Sequence, residues 1–136
     1  MAVTFTQDAF EQIKSHSLKE RPIEACGILT GPENSRQISA VVTCANVDEN
    51  PRAAYTIHPK ELLRVIDEID AEQGIRLAGF YHSHPFSKAS PSNVDATRAT
   101  WDGFIYAIYS VPLDVLKCYL WDDEAKIFHI LDVILE

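Results

Sequence analysis

Apolar positions along this chain recur at two periods, and the alternation between them predicts the order of elements. Phe10, Ile13 and Leu18 fall at helical spacing, Thr6 can cap the start with Asp8 in the first turn, and Lys14 and Lys19 lie toward the end. A helix is predicted over 7–19, stopped by Pro22. The apolar run 25–29, closed by Gly31 and Pro32, predicts a buried strand; 37–45 predicts a second and 55–57 a short third. Pro59 suits a first helical position, and Leu62, Leu63, Ile66 and Ile69 form an apolar stripe opposite Lys60, Arg64, Asp67, Glu68 and Glu72. This predicts an amphipathic helix over 59–73, ended by Gly74. Strict alternation follows over 75–84, with Ile75, Leu77, Gly79 and Tyr81 on one face and Ala78, Phe80, His82 and His84 on the other. Ser92 can cap a short helix running to about Thr100, and 104–111, 115–121 and 126–135 read as strands, the last two joined by the acidic turn Asp122, Asp123, Glu124. The expected fold is mixed α/β, with one sheet covered by at least two long helices.

Composition narrows the class without changing that layout. With 136 residues, 46% hydrophobic and 24% charged, and with no repeat or low-complexity linker, the expectation is a single domain over 1–136. Twelve basic residues against 20 acidic ones give a net charge of −8, which argues against a generic nucleic-acid or anionic-membrane binder, because clustered cations carry both kinds of binding. No window approaches the roughly 18 apolar residues of a membrane span, and the N-terminus lacks the basic start of a secretory signal, so a cytoplasmic protein is expected. Cys26, Cys44 and Cys118 are odd in number and form no CxxC pair, which fits reduced thiols and makes a cysteine-rich zinc site unexpected.

The candidate chemistry lies in His82-Ser83-His84, then seven residues from Pro85 to Pro91, then Ser92-Asn93-Val94-Asp95. Histidines at i and i+2 of a strand point the same way with Cα atoms about 6.5 to 7 Å apart, so their ring nitrogens can converge on one ion. Asp95, in the first turn of the next helix, can return as a third ligand. Two imidazoles and a carboxylate leave a tetrahedral position open, as in catalytic rather than structural zinc sites. Each part also has a plainer reading. A strand histidine is usually just hydrogen-bonded, and Ser92 with Asp95 fits a capping box that needs no metal. The combination favours the metal. His16, His58 and His129 stand in no such arrangement and read as surface or structural residues.

The pattern His-x-His, seven residues, Ser-x-x-Asp resembles the JAMM (MPN+) metalloprotease family, whose members also carry an upstream glutamate. Glu24, in Glu24-Ala25-Cys26-Gly27, stands at that position, and the tetrapeptide resembles short prokaryotic members. The resemblance implies one zinc on His82, His84 and Asp95, Glu24 as general base, and Ser92 steadying the tetrahedral intermediate. It implies a curved mixed sheet flanked by helices, similar to the cytidine deaminase fold. It also implies a hydrolase that cuts an amide at the C-terminal Gly-Gly tail of a ubiquitin-like or sulfur-carrier protein. Long insertions of the eukaryotic deubiquitinases are absent, which removes the basis for expecting polyubiquitin linkage selection.

Two other readings compete. A non-catalytic scaffold of the same fold would not need all the metal-site positions that this chain has. A zinc deaminase would need His-x-Glu and paired cysteines, which it lacks. Taken alone, Glu24 reads as a surface acid opening a strand, and Cys26 as a small buried thiol with no assigned role. The sequence does not choose among a carrier-cysteine adduct, a Lys-linked modifier and a plain peptide, and it does not report oligomeric state.

Overall fold

A computed structural model describes all 136 residues, Met1–Glu136. The chain runs β1 (Ala2–Phe5), α1 (Gln7–Glu20), β2 (Cys26–Pro32), β3 (Gln37–Ile38), β4 (Ala40–Cys44), α2 (Pro59–Ala71), β5 (Ile75–His84), α3 (Asn93–Arg98), β6 (Ile105–Ser110), β7 (Val115–Asp122) and β8 (Ile127–Leu135). All eight strands form one sheet in the order β3-β1-β8-β7-β6-β5-β2-β4. It is mixed: β1 runs parallel to β3 and β8, β5 runs parallel to β6, and the other pairs are antiparallel.

The helices divide between the two faces. On one, Ala9 and Ile13 of α1 pack with Val3, Phe5, Leu29, Tyr81 and Tyr109. On the other, Val65 of α2 and Ala99 after α3 pack with Cys26, Ile28, Phe80, Tyr106 and Trp121. Thr6 caps α1, its hydroxyl oxygen accepting from the Ala9 N–H at 3.1 Å. The buried line of α1 is Ala9, Ile13 and Ser17, while Leu18, predicted to face inward, is exposed. Likewise the buried line of α2 centres on Val65 with Leu62 and Ile69 beside it, and Leu63 is exposed.

Several expectations change in ways that bear on the site. The predicted strand 25–29 extends to Pro32, and 37–45 is split at Ser39 so that its two halves pair with different strands. The stretch 55–57 is not a strand; a single bridge joins Ile57 to Asn46. The four residues of β1 went unpredicted, because their pairing partners lie far away in β8 and β3. Strand β5 spans 75–84 as predicted, but its alternation breaks. Leu29 pairs with Gly79 and Thr30 with Leu77, leaving Ala78 as a bulge. Ala78 therefore joins Tyr81 on the α1 face, and Leu77 joins Phe80 on the other. Gly79 at this bulge lies so close to the Ile105 carbonyl oxygen that any Cβ would collide with it. Beyond the bulge the alternation resumes, and Phe80, His82 and His84 face the α2 and α3 side.

Candidate metal centre

His82 and His84 end β5 on one face, as the spacing predicted, and the chain after them is tied back onto the sheet. His84 Nδ1 lies 2.7 Å from the Lys88 carbonyl oxygen, the Ser110 hydroxyl donates to the Ser87 carbonyl at 2.8 Å, and the Tyr119 hydroxyl donates to the Ala89 carbonyl at 2.7 Å. These three contacts turn the seven-residue loop so that α3 starts over the strand end. Ser92 and Asp95 form the predicted capping box: the Ser92 hydroxyl oxygen accepts from the Asp95 N–H at 3.0 Å, and Asp95 Oδ2 accepts from the Ser92 N–H at 2.9 Å. The box aims the carboxylate at the histidines.

The result is a triangle of ligand-type atoms. His82 Nε2 and His84 Nε2 are 3.2 Å apart, and both face Asp95 Oδ2, at 3.2 and 3.1 Å. All three side chains are buried. A tetrahedral ion with bonds of about 2.0–2.1 Å has edges of similar length. The donor chemistry fits a cation as well. The Lys88 carbonyl can only accept, so His84 Nδ1 carries the proton, and in a neutral ring Nε2 then presents a lone pair toward a carboxylate oxygen. Something positive must lie between them, either a proton or a metal ion. For His84, burial works against protonation, but the Asp95 hydrogen bond and the Lys88 carbonyl outweigh it and raise the pKa. Burial lowers that of His82. Burial also works against ionisation of Asp95, yet bonds from both imidazoles and the Ser92 N–H hold it well below the usual carboxylate range.

Glu24 lies just before β2. Cys26 pairs with His82, the Ala25 carbonyl accepts from the Ser83 N–H at 3.0 Å, and the Ser83 hydroxyl accepts from the Ala25 N–H at 2.8 Å, which brings Glu24 level with His84. Far from being a surface acid, it is buried, and its Oε1 has no protein hydrogen-bond partner. Burial, with Asp95 nearby, pushes its pKa up to about 8. Ser92 is exposed at the start of α3. Because its hydroxyl oxygen only accepts in the capping box, its proton stays free to donate elsewhere, so capping and a role toward substrate do not compete.

Residues that sequence reasoning passed over frame the centre. Tyr55 stacks on the His82 ring, centroids 4.5 Å apart and planes 21° from parallel. The Asn46 amide holds the loop that carries it, donating to the carbonyls of Glu24 at 2.9 Å and Ala54 at 3.0 Å and accepting from the N–H groups of Asp48 and Thr56. Arg98, at the end of α3, reaches Asp48 and the Tyr55 carbonyl. No local pattern signals these contacts. A cavity of about 280 Å³ opens beside Tyr55, walled by Phe80, Trp101 and Tyr106. The largest cavity, about 800 Å³, is at the far end of β5 around Ile75–Leu77, away from the histidines, and has no comparable convergence of ligand atoms. His58 caps α2, His16 bonds the Tyr81 hydroxyl and exposed His129 contacts Asp122, so none of the three enters the centre and they are surface or structural residues, as expected. The cysteines are free and buried.

A mixed sheet with helices on both faces is the fold of JAB/MPN domains, and in this chain it gathers two histidines from a strand end and an aspartate from the helix that follows. Over residues 6–122 the chain matches the family described as prokaryotic homologs of the JAB domain, and it belongs to that family. It is 37% identical over 112 residues to the desampylase of Haloferax volcanii, covering 79% of this chain and 80% of the relative. It is 35% identical over 91 residues to a probable TtuB-protein conjugate cleaving protease of Thermus thermophilus, covering 67% of this chain and 59% of the relative. The solution structure of a protein from Desulfitobacterium hafniense matches with a TM-score of 0.84 at 27% identity, over 98% of this chain and 92% of that one. No helix is long and apolar enough to cross a membrane.

Proposed function

We propose that this protein is a zinc-dependent isopeptidase or amidase that cleaves an amide at the C-terminal Gly-Gly tail of a ubiquitin-like or sulfur-carrier protein. The observation that carries this is the buried convergence of His82, His84 and Asp95 beside the unpartnered carboxyl of Glu24. The names of the two relatives support the substrate class. A reducing, cytoplasmic setting is supported by the three free thiols.

His82, His84 and Asp95 would hold one zinc, a metal suited to two imidazoles and a carboxylate. When bound, zinc supplies Lewis acidity, polarising a carbonyl oxygen and acidifying water. Glu24 takes the proton that water gives up as its oxygen bonds to the carbonyl carbon, and returns it to the amine nitrogen as the C–N bond breaks. The Glu24 pKa, raised by burial in the metal-free protein, would fall beside a bound cation, favouring the ionised form that accepts a proton. Ser92 donates its free hydroxyl proton to the charge growing on the carbonyl oxygen. A site held between a strand end and a helix start favours an extended tail without side chains, which can be gripped through its main chain.

The test is a panel of ubiquitin-like and sulfur-carrier proteins bearing C-terminal cysteine or lysine-linked adducts, with Gly-to-Ala changes in the tail and an unfolded casein-like chain as control. Cleavage after the Gly-Gly tail, reduced by bulk and absent on the control, is expected. Equal cleavage of the unfolded chain would make this a general peptidase. Metal-loaded protein that cleaves nothing would favour the scaffold reading.

A further inference from the structure

The two histidines of the metal centre are held in different ways. A metal-binding imidazole is ordinarily oriented by a hydrogen bond from its second nitrogen. His84 has one, through Nδ1 to the Lys88 carbonyl at 2.7 Å. His82 has none: its Nδ1 is buried, and no protein group accepts from it. The ring could therefore turn about its Cβ–Cγ bond without losing any hydrogen bond at that nitrogen. Apart from its Nε2 contacts with His84 and Asp95, what holds the ring is the Tyr55 face, stacked on it at 4.5 Å and 21°.

We infer that Tyr55 is a positioning residue for metal binding, orienting His82 through its ring face as the Lys88 carbonyl orients His84 through a hydrogen bond. This rests on the reading of His82, His84 and Asp95 as metal ligands. The loop around Tyr55 is built to hold the ring still. The residues on either side of it are fastened to one amide, since Asn46 donates to the Ala54 carbonyl at 3.0 Å and accepts from the Thr56 N–H at 3.1 Å. The same Asn46 amide donates to the Glu24 carbonyl at 2.9 Å, and Arg98 of α3 donates to the Tyr55 carbonyl at 3.2 Å. Tyr55 is thus braced against the segment bearing Glu24, just before β2, and against the helix bearing Asp95. Its hydroxyl makes no hydrogen bond to another protein group, so the ring face is the working part.

The test measures zinc affinity of metal-stripped protein by competition with a chelating dye, for wild type, Tyr55→Phe, Tyr55→Leu and Tyr55→Met. Tyr55→Phe should bind within about twofold of wild type. The Leu and Met variants keep apolar bulk without a flat face and should bind roughly 10- to 100-fold more weakly, the loss typical of removing a ligand's orienting partner. Visible absorption of the cobalt-loaded proteins should change in the same two variants and not in Tyr55→Phe, a signature that mere loss of stability would not produce. The melting temperature of each metal-free protein selects variants that fold. A folded Leu or Met variant with wild-type zinc affinity would overturn the inference, and so would a Phe variant as weak as Leu, which would move the role to the hydroxyl. Substrate cleavage does not enter this measurement. If wild type cleaves no conjugate while Tyr55→Leu still loses zinc, the substrate reading falls and this one stands; if wild type binds no zinc, both fall.

Discussion

Glu24 pairs two properties that a substitution can separate. Its folded pKa of about 8 stands above the ordinary 4.5, mainly through burial and then through Asp95. For an acid shifted upward, the stability it contributes to the metal-free protein is full below pH 4.5 and is lost as pH rises through 8. Glu24→Gln removes that dependence. The metal-free variant should melt above wild type at pH 9, and the difference should vanish at pH 4. The metal-loaded variant should keep its fold and zinc but lose about 10²- to 10⁴-fold in rate, the usual worth of a general base. Near wild-type turnover in metal-loaded Glu24→Gln would end the base assignment, and identical melting at both pH values would contradict its burial as an acid. The ligand-type residues were legible in the sequence because strand pitch alone fixes where His82 and His84 point. The burial of Glu24 was not, since it depends on the loop that folds over it from Asn46. Tyr55 was read as part of a strand, and stacking across 27 positions leaves no local trace.

The short helix α3 has six residues, too few to be stable by itself, and its capping box does two jobs. It secures the helix start and aims Asp95 into the centre. Ser92→Ala separates the cap from a role in rate by magnitude. Losing the cap costs on the order of 1 kcal/mol, whereas losing an oxyanion donor costs about 10²- to 10³-fold in kcat. Both losses are expected together, because the hydroxyl can accept from the Asp95 N–H and donate to substrate at once. Melting and turnover measured on one preparation decide it; a lowered melting temperature with unchanged kcat would leave Ser92 a helix cap only. Elements with a strong local period, α1, α2 and β5, were readable from sequence. The bulge at Ala78 was not, because the alternation of apolar residues continues through it and only the register with β2 reveals the extra residue. Strand β1 exists through pairing with β8, more than a hundred residues away, which no local window contains.

At the scale of the whole molecule, a bound ion would link a strand end to the helix beyond the seven-residue loop, so its free energy of binding should register as stability. A ligand bound only by the folded state adds RT ln(1 + [L]/Kd), about 4 kcal/mol at a thousandfold excess over Kd. For a chain of this size each kcal/mol shifts the melting temperature by roughly 3–5 °C, so stripping the metal should lower it by about 10–20 °C and free zinc at that excess over Kd should restore it. The metal-free protein should still fold, because the hydrogen bonds that seat the loop on Ser110, Tyr119 and His84 do not involve the ion. His84→Ala and Asp95→Asn should melt at the same temperature with or without zinc. Elemental analysis should find one zinc per chain in wild type and much less in either variant. Acid should release the metal as well, because protons compete for both imidazoles and for Asp95. A melting temperature indifferent to chelator and to zinc, with equal sub-stoichiometric metal in wild type and variants, would remove zinc from this centre and leave His82, His84 and Asp95 as a buried hydrogen-bonded cluster that closes the end of the sheet.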